Sequence, residues 1–141
     1  RQDENDIGRP RRRGAGLDQL RADSAFGPWS IRAIALKDTG EILGSINCHH
    51  QPMLFAAQGE TRMAVEIGYT IFTPWRQRGF GQEAVRGFAT WANGKGVEGL
   101  VLSIAPQNRA SLALAQKLGA IKIGSQIDET DGPEDIFLAR I

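Results

Sequence analysis

Cysteine is almost missing from this chain: of its 141 residues only Cys48 is one. A lone cysteine excludes an internal disulfide framework and fits a reducing compartment, so a cytoplasmic location is expected. Net charge is nearly missing as well, at +1 from 17 basic and 16 acidic side chains. A chain so balanced has no protein-wide field for nucleic acid or a membrane surface, and any site for an anion must be local. Long apolar runs are lacking too. The longest stretch without a formal charge, Ile42 to Gly59, carries His49, His50, Gln51 and Pro52, which disqualifies it as a membrane span. No segment has the pattern of a signal peptide. The only two histidines, His49 and His50, are adjacent and would face opposite ways on a strand, so no metal site is expected. The chain starts at Arg1 rather than Met, and its natural N-terminus is expected upstream.

What is present is ordinary globular composition, 41% apolar and 23% charged, in a length that suits one core. Residues 1–16 are polar and rich in Arg and Gly, and "RPRRRG" from Arg9 could serve as a nucleic-acid arm. Asp3, Glu4 and Asp6 dilute its charge and no aromatic is interleaved for base stacking, so a solvated tail is expected instead. Leu17 to Ala25 could form a short helix. "WSIRAIAL" and "EILGSINC", separated by "KDTG", read as a β-hairpin. A polar loop is expected from about Gln51 to Glu60, then a strand over Arg62 to Phe72 that Pro74 ends.

Val85, Phe88, Ala89 and Ala92 recur at helical spacing, predicting a helix over Gly81 to Asn93 with Gly94 as its cap. "VEGLVLSIA" reads as a strand covered on both faces. Asn108 is placed to cap a second helix, Arg109 to Leu118, that ends at Gly119. "IKIGSQI" and "IFLARI" read as two last strands around the acidic turn "DETDGPED". The order is strand, strand, strand, helix, strand, helix, strand, strand: a mixed α/β fold in a single domain over residues 17–141.

The segment "RQRGFGQEA" carries the local anion site that the net charge demands. The first N–H groups of a helix lack partners within it, and the macrodipole adds partial positive charge there. Gly79 and Gly81 would let backbone N–H groups approach a bulky anion, and Arg76 and Arg78 add cationic forks. A phosphate or pyrophosphate is the ligand such a turn fits; a plain turn with exposed arginines is the other reading. A P-loop is excluded because no Gly-Lys-Ser/Thr ending follows. Gly79, Gly81 and Ala84 satisfy the dinucleotide fingerprint formally. However, "TPWRQR" separates strand from glycine, and Ser103 to Ala105 stand where an acidic residue is required.

"EIGYTIFTPWRQRGFGQEAV" followed by "VLSIAPQNRASLALAQKLGA" resembles the GNAT family of N-acetyltransferases, and within it the branch that acetylates ribosomal-protein N-termini. Arg76, Gly79 and Gly81 fit the family's signature, and Asn108 with Lys117 to Gly119 fit its downstream helix. The resemblance spans about Ala25 to Ile141. It implies a mostly antiparallel sheet flanked by helices, with splayed central strands, and acetyl-CoA as acyl donor. The pyrophosphate would lie on backbone N–H groups of Gln77, Arg78, Gly79, Phe80 and Gly81, with Arg76 and Arg78 nearby. The pantetheine arm would pair with the backbone of Ile71, Phe72 and Thr73, and Asn108 would contact it. The acceptor would be a primary amine, either a protein N-terminus or a small molecule, and the chain a monomer or homodimer. No counterpart of the family's first strand is found before Trp29, so the chain is expected to lack it.

The chemistry sets further demands. A lysine-like amine of pKa about 10.4 is only roughly 0.04% neutral at pH 7, and an α-amine of pKa about 8 roughly 10%. A base helps, and Glu66, on the strand leading to the turn and on one face with Gly68 and Thr70, is the candidate. A surface carboxylate is its other reading. A backbone N–H near Ile71 would hold the oxyanion. Many family members offer a Tyr four residues before the helix-ending Gly; here Ala115 stands there. The ribosomal-protein branch can use a Ser three residues after the Asn, which makes Ser111 the candidate proton donor, unless it is an ordinary first-turn residue. Ala120, where the family usually has an aromatic, is a second departure. Cys48 is expected to be a small buried apolar residue, and Trp29, Trp75, Trp91 and Tyr69 core or site-wall residues. A non-catalytic acyl-CoA-binding module and a nucleic-acid-binding protein using Arg9 to Arg13 remain as other classes.

Overall fold

A computed structural model describes residues 24–141. The Arg/Gly-rich segment 1–16 and most of the helix expected from Leu17 lie outside those residues. Ser24 and Ala25, its last two positions, begin a 3₁₀ turn, Ser24–Trp29. The described residues form seven strands, mostly antiparallel, and two α-helices, the mixed α/β fold expected. They fall into two compact units, one of 24–51 and 67–85, the other of Pro52–Glu66 and Arg86–Ile141.

In the first unit, β1 (Arg32–Ala35) and β2 (Ile42–Cys48) form the expected hairpin. Its turn is closed by Leu36 N–H to Glu41 O and Gly40 N–H to Leu36 O, both 2.8 Å, and Gly40 takes φ +77°. β2 then pairs antiparallel with the last part of β4 (Glu60–Ile71), from Gly44 opposite Ile71 to Cys48 opposite Ile67. The two backbones touch at Gly44. A Cβ added there would overlap the Thr70 carbonyl oxygen, so only glycine fits. Ile46 and Cys48 of β2 and Ile67, Tyr69 and Ile71 of β4 form one apolar face.

The second unit corrects the expected loop after Gln51. Met53–Ala57 is a strand, β3, paired antiparallel with the start of β4. The turn between them is Gln58 and Gly59, both left-handed at φ 57° and 74°, the backbone of a two-residue hairpin turn. This makes seven strands where six were expected. β5 (Gly99–Ile104) is buried along its whole length, as its unbroken apolar run predicts. It pairs parallel with β4 only from Ala64 to Glu66. Its other side pairs antiparallel with β7 (Gly132–Arg140), which begins at Gly132 rather than at Ile136 as expected. β6 (Ile121–Asp128) completes the hairpin.

Helix α1 spans Phe80–Asn93, and three of the four residues of its expected stripe are buried, Val85 and Ala92 at 0% exposure and Phe88 at 7%, while Ala89 is half-buried. The residue that leaves the helix in a left-handed conformation is Gly96, φ 91°, not Gly94. Gly94 still continues the helical pattern, its N–H reaching Thr90 O at 3.2 Å. Helix α2 spans Arg109–Lys117, buries Ser111, Leu114 and Ala115, and ends with Gly119 at φ 72° as its composition predicts. Among the described residues no helix is long and apolar enough to cross a membrane.

Candidate functional site

The passage from β4 to α1 is built from a short list of bonds within the first unit. Phe72 N–H donates to Leu43 O at 2.7 Å, which fixes the ladder's parity. Ile71, next along, therefore turns its own N–H and C=O away from β2. Among the described residues no strand pairs with β4 on that other edge beyond Glu66. The Ile71 carbonyl is instead taken by Arg76, whose Nε donates to it at 2.6 Å. Trp75 N–H reaches Phe72 O at 2.9 Å, and Arg76 N–H reaches Thr73 O at 3.2 Å. These bonds leave the N–H groups of Ile71 and Thr73 as the donors of the Ile71–Thr73 backbone outside the turn's own bonding.

Gln77 and Gly79 are both left-handed, at φ 60° and 83°. Glycine bears that conformation without strain; a glutamine does not, and strained residues of this kind gather at binding turns. α1 starts at Phe80 and its first bond is Glu83 N–H to Gly79 O at 3.1 Å. The N–H groups of Phe80, Gly81 and Gln82 thus have no partner inside the helix and carry its dipole's positive end. Arg78 stands over two rings, its guanidinium carbon 5.0 Å from the Trp75 centroid and 5.5 Å from Phe80, which themselves meet edge-on at 5.9 Å. The exposed guanidinium is held beside the turn by cation–π contact, worth about 0.5–1 kcal/mol at such sites. The two arginines therefore do different work: Arg76 braces the strand end and Arg78 supplies the cationic face. Sequence spacing gave no sign of this division, because it depends on where two long side chains reach.

In the second unit, Glu66 stands half-buried at the last rung of the β4–β5 ladder, opposite Val101. Asn108 is 5% exposed and its Oδ1 accepts Ser111 N–H at 3.2 Å, the N-cap bond that its position predicts. The structure thus joins Asn108 and Ser111 directly. Ser111 is 3% exposed on the inward face of α2, beside Ala115, which supplies no hydroxyl. Sequence reading passed over a polar chain in this unit. Gln126 Nε2 donates to Ser103 Oγ at 3.3 Å and to Glu134 Oε1 at 3.2 Å, and both Ser103 and Glu134 are buried. The signal available was strand alternation, which puts Gln126 and Glu134 on one face.

Cys48 is buried as expected, and burial pushes its thiol up to about 12, partly opposed by the Arg32 charge. At neutral pH it carries its proton and is no nucleophile, since the thiolate is the reactive form. His49 and His50 are half-buried, with His50 Nδ1 2.7 Å from Gln51 O. Among the described residues no three metal-binding side chains come together.

Comparison with known proteins bears on the same elements. The sequence pattern of the family described as Acetyltransferase (GNAT) domain matches residues 6–121. Many solved structures share the fold, among them the following. The ribosomal-protein-S5-alanine acetyltransferase from Vibrio fischeri aligns with a TM-score of 0.67 at 15% identity, over 88% of this chain and 66% of that one. An acetyltransferase from Agrobacterium tumefaciens gives 0.64 at 22% identity, over 96% and 81%. A GNAT-family acetyltransferase from Streptococcus pneumoniae gives 0.56 at 22% identity, over 72% and 62%. The chain spans just under two thirds of the Vibrio and Streptococcus proteins.

Proposed function

The chain belongs to the GNAT acetyltransferase family, and from that premise we propose that it transfers the acetyl group of acetyl-CoA directly to a primary amine. The observation that carries this reading is the β4–α1 turn: a helix start whose first N–H groups are not used by the helix itself, two left-handed residues and one exposed guanidinium within six positions. That arrangement complements a diphosphate. The backbone from Gln77 to Gly81 would hold it, with Arg78 alongside. Ile71 N–H and Thr73 N–H are the donors left for the pantetheine and acyl end, and Ile71 N–H is the one we assign to the developing oxyanion.

Glu66 acts as general base. It takes the proton of the attacking amine, directly or through water, as nitrogen bonds to the acyl carbon and the carbon–sulfur bond breaks. The thiolate that leaves needs modest help, since a thiol pKa near 8.5 makes it a fair leaving group. Ser111 hydroxyl is assigned to that sulfur, and Asn108 to the pantetheine arm through Nδ2, its Oδ1 being engaged by the helix cap. No covalent acyl-enzyme is needed, and the protonated Cys48 could not form one.

The acceptor we favour is a protein N-terminal α-amine, which is neutral far more often at pH 7 than a lysine-like amine. The fold shared with the Vibrio ribosomal-protein acetyltransferase is consistent with that choice. A small-molecule amine is the other acceptor class. Buried Ala115, at the place of the family's tyrosine, also favours a second reading in which the chain binds acyl-CoA without transferring it. CoA release measured with acetyl-CoA against peptides, polyamines and aminoglycosides separates these. Release with at least one amine, abolished or reduced at least tenfold in Glu66→Gln, is expected. Tight acetyl-CoA binding without release for any amine would establish the non-catalytic reading instead.

A further inference from the structure

Past the Glu66–Val101 rung, β5 continues to Ile104 with β7 as its partner. Glu66 faces the same side of the second unit's sheet as Val101, and Ser103 is the next residue of β5 on that side. One strand spacing of about 4.8 Å across and two residues of about 3.3 Å along set their Cα atoms about 8 Å apart. At that spacing a carboxylate and a serine hydroxyl can share one water. Around them the face is apolar: Ala64, Val101 and Leu138 are buried there, with Ile123 and Ile136 packed against them. Ser103 carries the only hydroxyl of β5 and is 9% exposed, and Glu134, on the same face of β7, is 5% exposed.

Stability alone gives no reason for a hydroxyl, a carboxamide and a carboxylate on this face, since apolar side chains of the same shape would serve as well. What the three groups do is fix a direction. Gln126 Nε2 donates both to Glu134 Oε1 at 3.2 Å and to Ser103 Oγ at 3.3 Å. A carboxylate only accepts, so Glu134 settles which end of the carboxamide is the nitrogen. Ser103 Oγ is then the acceptor toward Gln126, and its own O–H points elsewhere. Gln126 comes from β6, which lies beyond β7 on the side of β5 away from β4. The hydroxyl is gripped from the side opposite Glu66.

Resting on the acetyl-transfer reading with Glu66 as its base, we propose that Ser103 is a positioning residue, holding the water through which Glu66 takes the amine's proton. Gln126 and Glu134 aim its hydroxyl. A buried water needs about two to four polar partners, and Ser103, Glu66 and the incoming amine supply them. As the amine nitrogen bonds to the acyl carbon, its proton passes to the water oxygen. The water gives one of its own protons to the Glu66 carboxylate, and the electron pair of the carbon–sulfur bond leaves with the thiolate. Ser103 keeps its proton throughout and fixes only where the water sits.

CoA release by the full chain at saturating acetyl-CoA is measured with an amidated tetrapeptide, spermidine and kanamycin, and the fastest acceptor is carried into the variants. Ser103→Ala should lower kcat about tenfold, the loss of one well-placed bond, while the KM for acetyl-CoA and the Tm hold. Ser103→Thr keeps a hydroxyl and should restore most of the rate. Gln126→Met, at an exposed position of β6, should lower kcat about threefold. Neither Ser103→Ala nor Gln126→Met should slow Glu66→Gln further, because both act through the Glu66 carboxylate; damage to the fold would add there instead. A kcat in Ser103→Ala within about twofold of the unaltered chain overturns the proposal, as does a loss that persists undiminished in Glu66→Gln. A Ser103→Thr protein that melts with the unaltered chain yet is as slow as Ser103→Ala also overturns it. Where Ser103→Thr melts lower, Gln126→Met decides, and an unmoved kcat there ends the proposal. If no acceptor releases CoA, the transfer reading fails and this one with it. If acceptors react and Glu66→Gln does not slow them, transfer stands, and the role of Glu66 and this relay fall together.

Discussion

Replacing Gly44 with alanine should damage the chain far more than a single methyl group suggests. The new Cβ would overlap the carbonyl oxygen of Thr70, and it would also meet the Thr70 carbonyl carbon at 2.9 Å and Ile71 Cα at 3.0 Å. All three are backbone atoms, so no side chain can swing aside. Relief requires β2 and β4 to part by more than about 1 Å, since non-bonded heavy atoms settle near 3.5–4.0 Å. The bonds at risk are those flanking Gly44: Phe72 N–H to Leu43 O, now 2.7 Å, and the pair shared by Ser45 and Thr70. Three bonds at about 1 kcal/mol net each give a cost of about 3 kcal/mol. For a chain of this size that is a fall of roughly 10 °C in Tm. Gly40→Ala is the control. Nothing lies within 4 Å of its added Cβ, so only the left-handed backbone is strained, at about 1–2 kcal/mol. Thermal unfolding by circular dichroism compares the two, and hydrogen exchange at the Phe72 amide locates the damage. A Gly44→Ala protein melting no lower than Gly40→Ala, with the Phe72 amide still protected, would refute the steric reasoning. The same variant should raise the KM for acetyl-CoA, because the bond it breaks sets which way Ile71 N–H points.

Gly79→Ala should destabilise by about 1–2 kcal/mol through its left-handed backbone. By contrast, Gly81→Ala should unfold with the unaltered chain, because its Cβ meets Tyr69 and Ile71 side chains only at 3.4–3.6 Å. The Cys48 thiol sits at about 12 in the fold against 9.0 for the free group, so the fold favours the protonated form. Stability from it is whole below pH 9 and is lost as pH rises from 9 to 12, by at most about 4 kcal/mol. Urea unfolding at pH 7.5 and 10.5 should show that loss in the unaltered chain and not in Cys48→Ala. Asn108→Ala should lose about 1 kcal/mol with the cap, whereas Asn108→Asp keeps a capping oxygen and the stability. If Asn108→Asp also leaves the acetyl-CoA KM in place, the contact assigned to Nδ2 is wrong.

Elements whose causes are local could be read from the sequence. Asn108 caps α2 through its own side chain three residues on, and Gly119 ends the helix by its own backbone freedom, so both announce themselves. The same holds for the Gly40 hairpin. β3 did not announce itself, because "MLFAA" lacks polar alternation and Gln58-Gly59 replaces the usual Asn-Gly. Gly94 and Gly96 are two residues apart, and which one leaves the helix depends on Val97, whose N–H bonds back to Ala92 O at 3.0 Å. In the candidate site, the glycines and arginines of the turn were visible as a pattern. The Arg76 bond to Ile71 was not. It is made by the far part of a flexible side chain, which neither periodicity nor spacing constrains.

That bond closes a ring. From Ile71 the chain runs through a 3₁₀ turn to Arg76 and returns to Ile71 through the guanidinium. A ring this small, already pinned by two backbone bonds, makes the segment a stiff hook instead of a loop. On the proposed reading the hook holds a donor by its diphosphate at one end, with the Ile71 N–H waiting at the other. The separation of those two points is set by the hydrogen-bonded ring, so the site works as a ruler. A donor with a longer or shorter arm would dock as tightly and still miss, because its acyl carbon would come to rest off the mark.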